Sequence, residues 1–359
     1  MEFVLPNSMA NWPWPRRINP HFEAVKAECE VWFRSFNAFS PKAQKAFEKG
    51  DFCRLAALAY PALDQQRLRT ACDLMMLFFT FDECTDVLTA PEARRYADIV
   101  MDALKNTNKP RPEGEPIVGE VARQFWALGI QSATPLAQKH FLETFEDYIY
   151  SVVDQASDRD DKRIRGSEEY MILRRRTIGV QPSYPMIELG MNLVDEIWND
   201  PVIDELRRIA VDIVLLDNDI CSYKKELAQG DDTVCHMHFF HIQLFYEPSF
   251  LTQHNIVTII MHEGTTNLSG AMEWVATRLK ALTSRFIVLY EKVPWDDADA
   301  QVQEYVEGIA NWPRANNSWH FESGRYFGSE GLKVQRDRKV VLSLGIRQVP
   351  QLVCHITWA

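Results

Sequence analysis

An all-α fold is what this sequence predicts, on three grounds. Apolar positions recur at three- and four-residue spacing in one stretch after another, strand signals are weak, and no linker, repeat or low-complexity tract divides the chain. Residues 22–36 make the first predicted helix, after an Asn19-Pro20 start. The same periodicity marks 67–88, 137–153 and 203–227. Residues 255–293 read as one or two helices that end before Pro294, 301–312 as another, and 319–335 as the last. Extended structure is expected only in 239–246 and 340–346, and neither has a turn-linked partner.

Composition narrows the function. The 359 residues would permit two domains, but without a linker they favour one large helical unit. Hydrophobic residues at 46% and charged residues at 25% are ordinary for a globular protein, and no run approaches the ~20 apolar residues of a membrane span. Residues 1–17 are rich in Pro and Trp and lack the apolar core of a signal peptide. Seven scattered cysteines without a CxxC pair point to reduced thiols, a cytoplasmic location and no structural zinc. A net charge of −11 argues against nucleic acid and anionic membranes, since Arg16-Arg17 and Arg174-Arg175-Arg176 are too short to make a basic patch. Carboxylates in such excess can recruit divalent cations, which can then hold an anionic substrate.

Two segments carry that chemistry. The run Leu74-Met75-Met76-Leu77-Phe78-Phe79-Thr80-Phe81 leads into Asp82, Glu83 and Asp86. On a helix Asp82 and Asp86 lie one turn apart, roughly 6 Å along the axis, and point the same way. Two hard oxygen donors on one face suit magnesium. A solvated helix end would also carry acids, but it seldom follows so apolar a run. The second segment is Asp217-Asn218-Asp219-Ile220-Cys221-Ser222-Tyr223-Lys224-Lys225-Glu226. Asn218, Ser222 and Glu226 follow at four-residue steps, so they drift only about 80° and share a face over roughly 12 Å. An amide oxygen, a hydroxyl and a carboxylate can hold one magnesium ion with little net charge. Asn and Ser are mediocre helix formers, so a plain surface stripe would gain nothing from them there.

Together, Asp82-Glu83-x-x-Asp86 and Asn218-Asp219-x-x-Ser222-x-x-Lys225-Glu226 resemble the two metal motifs of class I terpene cyclases, and the 136-residue separation of Asp82 from Asn218 is similar to the family's. Arg175, followed at four residues by Gly179, resembles the family's diphosphate-sensing arginine and its helix-breaking glycine. Arg325-Tyr326 resembles its C-terminal Arg-Tyr pair. The stretches 11–21, 36–44, 98–104 and 109–115 are most similar to basidiomycete fungal sesquiterpene synthases, in the group around the protoilludene synthases.

The resemblance covers nearly the whole chain and implies a single-domain isoprenoid-synthase fold over residues 1–338. It implies three Mg2+ ions, held by Asp82 on one wall and by Asn218, Ser222 and Glu226 on the other, with Glu83 and Asp86 in support or as occasional ligands. It implies farnesyl diphosphate as substrate, gripped by Arg175, Lys225, Arg325 and Tyr326, with catalysis resting on Asp82, Arg175, Gly179, Arg325 and Tyr326. A freed carbonyl at Gly179 would face the developing cation, and Phe78, Phe79, Trp312 and Trp319 would line the cavity. The expected product is a sesquiterpene hydrocarbon reached by joining carbons 1 and 11 through a humulyl cation; which hydrocarbon is not legible. Two other readings stay open: a homologue that binds metal and diphosphate without turnover, and a chain-elongating prenyl synthase. The latter normally carries two aspartate-rich motifs, against the Asn/Ser/Glu set here.

The chain departs from the family pattern at 234–253, a segment with three His, four Phe and no Lys or Arg. Its opening Val234-Cys235 and closing Gln253 can be encoded by splice-site sequences, so the segment reads as an intron retained in frame. Finding codons 234 to 253 in every mature transcript would contradict that. His236, His238 and His241 have no carboxylate placed with them, which weighs against a metal site. The tail 339–359 matches the family poorly and receives no role.

Overall fold

The computed structural model describes residues 2–230, 254–293 and 300–342. The segment 234–253 and the tail beyond 342 therefore lie outside the described residues. The helices run in the order α1 (Phe22–Ser35), α2 (Pro41–Glu48), α3 (Phe52–Ala59), α4 (Gln65–Thr85), α5 (Ala90–Lys105), α6 (Val118–Gly129) and α7 (Pro135–Asp160). They continue with α8 (Ser167–Thr177), α9 (Asp195–Trp198), α10 (Pro201–Gly230), α11 (Ile256–Glu263), α12 (Leu268–Tyr290), α13 (Ala300–Glu322) and α14 (Gly331–Asp337).

Local chemistry sets many of the starts. The Asp64 and Thr134 side chains accept backbone N–H bonds at the heads of α4 and α7, and Thr89 with Glu92 forms a capping box on α5. Pro41, Pro135 and Pro201 open their helices, where a missing N–H costs nothing.

Two helices form the centre. Residues 70–78 of α4 and 209–217 of α10 are buried on every side, as expected of helices apolar all round. The first packs on α1, α3 and α6, the second on α12 and α13. Each passes from its buried middle into the polar motif the sequence singles out, so the fold carries both motifs to the rim of one core.

One expectation is corrected. The split between 301–312 and 319–335 does not occur: α13 runs unbroken from Ala300 to Glu322 with Pro313 inside it, and the break comes after it. An interior proline costs roughly 3 kcal/mol, and tertiary packing offsets it here. Residues 315–321 are buried, Asn311 donates to the Leu58 and Ala59 carbonyls, and Arg314 donates to the carbonyls of Met9, Trp12 and Trp14. The extended structure expected in 340–346 is present at 340 and 341, with a partner far away in the sequence. β1 (Glu2–Val4) pairs antiparallel with β2 (Lys339–Val341), Phe3 opposite Val340, so the first residues of the poorly matching tail tie back onto the N-terminus.

The Pro/Trp-rich N-terminal segment is part of the core. Trp12 Nε1 donates to the Ala310 carbonyl at 3.0 Å, and Trp12 and Trp14 both pack on Phe286 of α12. Among the described residues no helix is long and apolar enough to cross a membrane, and the five described cysteines are buried and form no disulfide with one another.

Candidate active site

A cavity of about 240 Å³ opens where α4, α7, α8, α10 and α13 meet. Asp82 and Asp86 reach it from α4, Asn218, Ser222, Lys225 and Glu226 from α10, and Arg325 and Tyr326 from the segment after α13. The two acidic motifs, 136 positions apart in sequence, thus share one space.

On α4, Asp82 accepts a bond from Tyr148 Oη of α7 at 3.3 Å, and Asp86 caps the helix end one turn on. Glu83 turns from the cavity wall toward Arg325, 4.0 Å away. On α10 the four-residue spacing turns Asn218, Ser222 and Glu226 to the cavity, while Asp219 points back into the protein. Its carboxylate takes the Tyr170 hydroxyl at 2.6 Å and the Ile256 backbone N–H at 3.0 Å, so it anchors the N-terminus of α11. Asn255, just before that helix, donates to Glu226 at 2.8 Å.

The arginine triplet resolves differently from the expectation. Arg174 lies on the cavity wall, with Nη2 donating to Asn218 Oδ1 at 2.8 Å and Nε to Asp219 at 3.3 Å. Arg175, expected to meet diphosphate, instead pairs with the buried Asp212 at 2.6 Å and does not line the cavity, and Arg176 pairs with Asp147 and Asp154 toward solvent. Successive helix positions differ by 100°, and the packing of α8 on α10 selects Arg174. Gly179 does line the cavity and adopts φ +77°, the left-handed conformation that ends the helix run. Its carbonyl is not free: Ser183 Oγ donates to it at 2.7 Å, leaving one lone pair.

All four expected aromatic residues line the cavity. Phe79 lies 5.6 Å from Trp319, and the Arg325 guanidinium sits 4.6 Å over the Phe79 ring. Tyr326 Oη accepts from Asn218 Nδ2 at 3.0 Å.

Comparison with known proteins decides the family. Residues 73–285 match the terpene synthase family 2, C-terminal metal binding. The chain is 48% identical to sesquiterpene synthase 14 of Postia placenta, over 97% of this chain and 94% of that protein. It is 48% identical to a Delta(6)-protoilludene synthase of Armillaria gallica over 95% and 94%, and 46% identical to one of Stereum hirsutum over 98% and 92%. The chain belongs to the terpene synthase family. Solved structures agree on the fold: a point variant of cucumene synthase superposes with a TM-score of 0.73 at 20% identity, over 87% of this chain and 100% of that one. The germacradien-4-ol synthase of Streptomyces citricolor gives 0.69 at 20% identity, over 86% and 96%.

This terpene synthase is accordingly a terpene cyclase of a metal-binding family, and the electrostatics of its cavity fit a divalent ion. Burial, together with Asp86, raises the Asp82 carboxyl to about 7. Asp86 stands at the exposed mouth, yet enclosure by surrounding atoms and the neighbouring Glu83 raise it to about 6. Burial and Asp219 raise Glu226 as well. Burial and Arg325 press Lys225 down to about 8, and Arg325 Nε is buried with no hydrogen-bond partner among the described residues. Carboxylates that resist ionising and cations that resist charging are both relieved by adding opposite charges, a divalent metal for the first and a polyanion for the second. Asp82, Asp86, Asn218, Ser222 and Glu226 offer the hard oxygen donors such an ion requires.

Sequence reasoning missed Arg174, Tyr148, His254 and Asn255. The triplet contained Arg174 but not its direction. Tyr148 lies inside a predicted helix with nothing in its neighbours to mark it. His254 lines the cavity with its imidazole pushed down to about 4 by burial.

Proposed function

We propose that the protein is a Mg2+-dependent sesquiterpene synthase that ionises and cyclises (2E,6E)-farnesyl diphosphate to a sesquiterpene hydrocarbon, joining carbons 1 and 11 through a humulyl cation. One observation carries the reading: the Asp82/Asp86 and Asn218/Ser222/Glu226 donor sets, the cations Arg174, Lys225 and Arg325, and the rings of Phe78, Phe79, Trp312 and Trp319 all line a single cavity. The names of the relatives, sesquiterpene and Delta(6)-protoilludene synthases, support the substrate and the mode of closure.

Three magnesium ions, bound by Asp82 with Asp86 and by Asn218, Ser222 and Glu226, would supply charge neutralisation of the diphosphate. Arg174, Lys225 and Arg325 add charge-assisted donors around that group, and Tyr326 a hydroxyl. As the carbon–oxygen bond breaks, the electron pair leaves with the diphosphate, and these donors stabilise the charge that develops there. Arg174 takes the sensing role in place of Arg175. The rings of Phe78, Phe79, Trp312 and Trp319 stabilise the carbocation by about 0.5–2 kcal/mol each without adding to it. The second lone pair of the Gly179 carbonyl, polarised by Ser183, gives a further negative dipole at the cavity wall. The apolar lining excludes water that would otherwise trap the cation as an alcohol. The released diphosphate is the acceptor of the last proton in this reading. Titrating Mg2+ into the protein with farnesyl diphosphate tests the reading: hydrocarbon that forms equally well in chelator would contradict it.

A further inference from the structure

Behind the cavity, Asp217, Cys221 and His320 are buried together, with one potential ligand atom of each within 4.8 Å of the others. The hydrogen bonds that Asp217 and His320 already make argue for a different role than a second metal site. Asp217 accepts from Ser8 Oγ at 2.5 Å, from Asn317 Nδ2 at 3.1 and 3.2 Å, and from His320 Nδ1 at 3.1 Å. A ring nitrogen donating to a carboxylate keeps its proton and has no lone pair for a metal.

The same bonds have a direction. Arg174 can only donate, so the Asn218 atom 2.8 Å from its Nη2 is the amide oxygen. The Asn218 amide nitrogen then faces His320 Nε2 at 3.4 Å and the Tyr326 hydroxyl at 3.0 Å. A nitrogen that receives that N–H carries no proton itself, so His320 is protonated at Nδ1, the atom that meets Asp217. The carboxylate and the guanidinium at the two ends thus settle both the tautomer and the amide orientation. Each donor from Arg174 through Asn218 and His320 points toward Asp217, an arrangement in which successive bonds polarise one another. His320 has no exposed surface and Asp217 almost none, so solvent does not compete for these bonds.

We propose that Asp217 and His320 are positioning residues, which hold the Asn218 amide with its oxygen toward the cavity and its nitrogen toward the protein. Without the imidazole acceptor, the Asn218 amide keeps only the Tyr326 hydroxyl on its nitrogen side and the Arg174 guanidinium on its oxygen side, and its orientation is held less firmly. Ser8 and Asn317 complete the Asp217 carboxylate, so the N-terminal segment takes part in the same arrangement. The inference rests on the reading of Asn218 as a metal ligand.

The test measures Mn2+ affinity by electron paramagnetic resonance in the presence of inorganic pyrophosphate, on the full chain, alongside thermal unfolding. His320→Leu removes the acceptor, whereas the longer amide of His320→Gln can offer an oxygen near the Nε2 position. Partners behind metal ligands typically contribute 10–100-fold in affinity, so His320→Leu should weaken Mn2+ binding by about that factor and His320→Gln by about threefold at most. Equal affinities in wild type and both variants, or equal losses in both variants, would overturn the positioning role. Wild-type protein that binds no Mn2+ would overturn the metal reading instead. Independently of any variant, the nitrogen-15 spectrum of the metal-free wild type should show His320 protonated at Nδ1 and bare at Nε2, and the opposite tautomer would contradict the proposal.

Discussion

Arg174 Nη2 donates to Asn218 Oδ1 at 2.8 Å, a direct bond between the helix that carries the arginine triplet and the helix that carries the second metal motif. The neighbouring Arg175 faces away, to Asp212. The two adjacent arginines therefore face different partners, and substitutions separate the roles proposed for them. Arg174→Ala should lower kcat by about 10²–10³-fold, the usual cost of losing one donor to a developing anion, with the fold retained. Arg175→Ala should leave the folded enzyme active but destabilise it by about 3 kcal/mol, because Asp212 is left buried without its partner. Steady-state kinetics and urea denaturation of both variants check this, and equal kinetic losses would show that the assignment between them is wrong.

The Asp82 carboxyl carries a cost to stability in the metal-free protein. Its carboxyl is raised to about 7, first by burial, so between the unfolded value near 4 and about 7 the unfolded chain ionises first and stability falls as pH rises. Asp82→Asn removes that effect. In chelator at mildly alkaline pH the variant should be more stable than wild type by on the order of 2 kcal/mol, while its turnover is lost. Denaturant unfolding with and without Mg2+ checks it, and the wild type should gain more stability from the metal with pyrophosphate than the variant does.

Gly179 is predicted to be intolerant for a backbone reason. A Cβ there would make only ordinary contacts with Phe78 and Tyr148, but φ is +77°. Gly179→Ala should cost about 1–2 kcal/mol and shift the carbonyl that Ser183 holds. Product profiling should show about a tenfold slower reaction, as expected for a loss of that size in the transition state, with a changed product ratio.

A pH-dependent contribution to stability lies far from the metal motifs. His140 of α7 is bonded to Glu188 at 2.8 Å and to Asp195 at 3.0 Å, and is stacked on Trp198. Burial opposes its charge, but the two carboxylates outweigh burial and raise its pKa. A histidine raised in the folded state contributes stability that is complete below its unfolded value, near 6.5, and is lost as pH rises through the folded value. Glu188, raised by burial, also disfavours folding as it ionises. Thermal unfolding should therefore shift downward as pH rises above about 6.5, and His140→Gln should flatten that slope. A wild-type slope unchanged in the variant would contradict it.

Much of this was legible along the chain because it depends on local period. The apolar runs before Asp82 and before Asn218 marked both central helices, and four-residue steps marked the faces that carry Asp82 with Asp86 and Asn218 with Ser222 and Glu226. What depends on contacts between distant segments was not legible. The rotation of α8 that chooses Arg174 over Arg175 is set by packing on α10. Helix α13 survives Pro313 because Trp12, Arg314 and Asn311 secure it to segments some 250 to 300 positions away. The pairing of Glu2–Val4 with Lys339–Val341 joins the two ends of the described chain, and three-residue strands leave almost no signal of their own.

The most direct measurement is gas chromatography with mass spectrometry of the purified chain incubated with farnesyl diphosphate, with Mg2+ and with chelator. A sesquiterpene hydrocarbon should form only with the metal and fall about a hundredfold or more in Arg174→Ala. A folded protein that releases no hydrocarbon under either condition, or that extends the substrate to a longer prenyl diphosphate once isopentenyl diphosphate is also supplied, would contradict the cyclase reading.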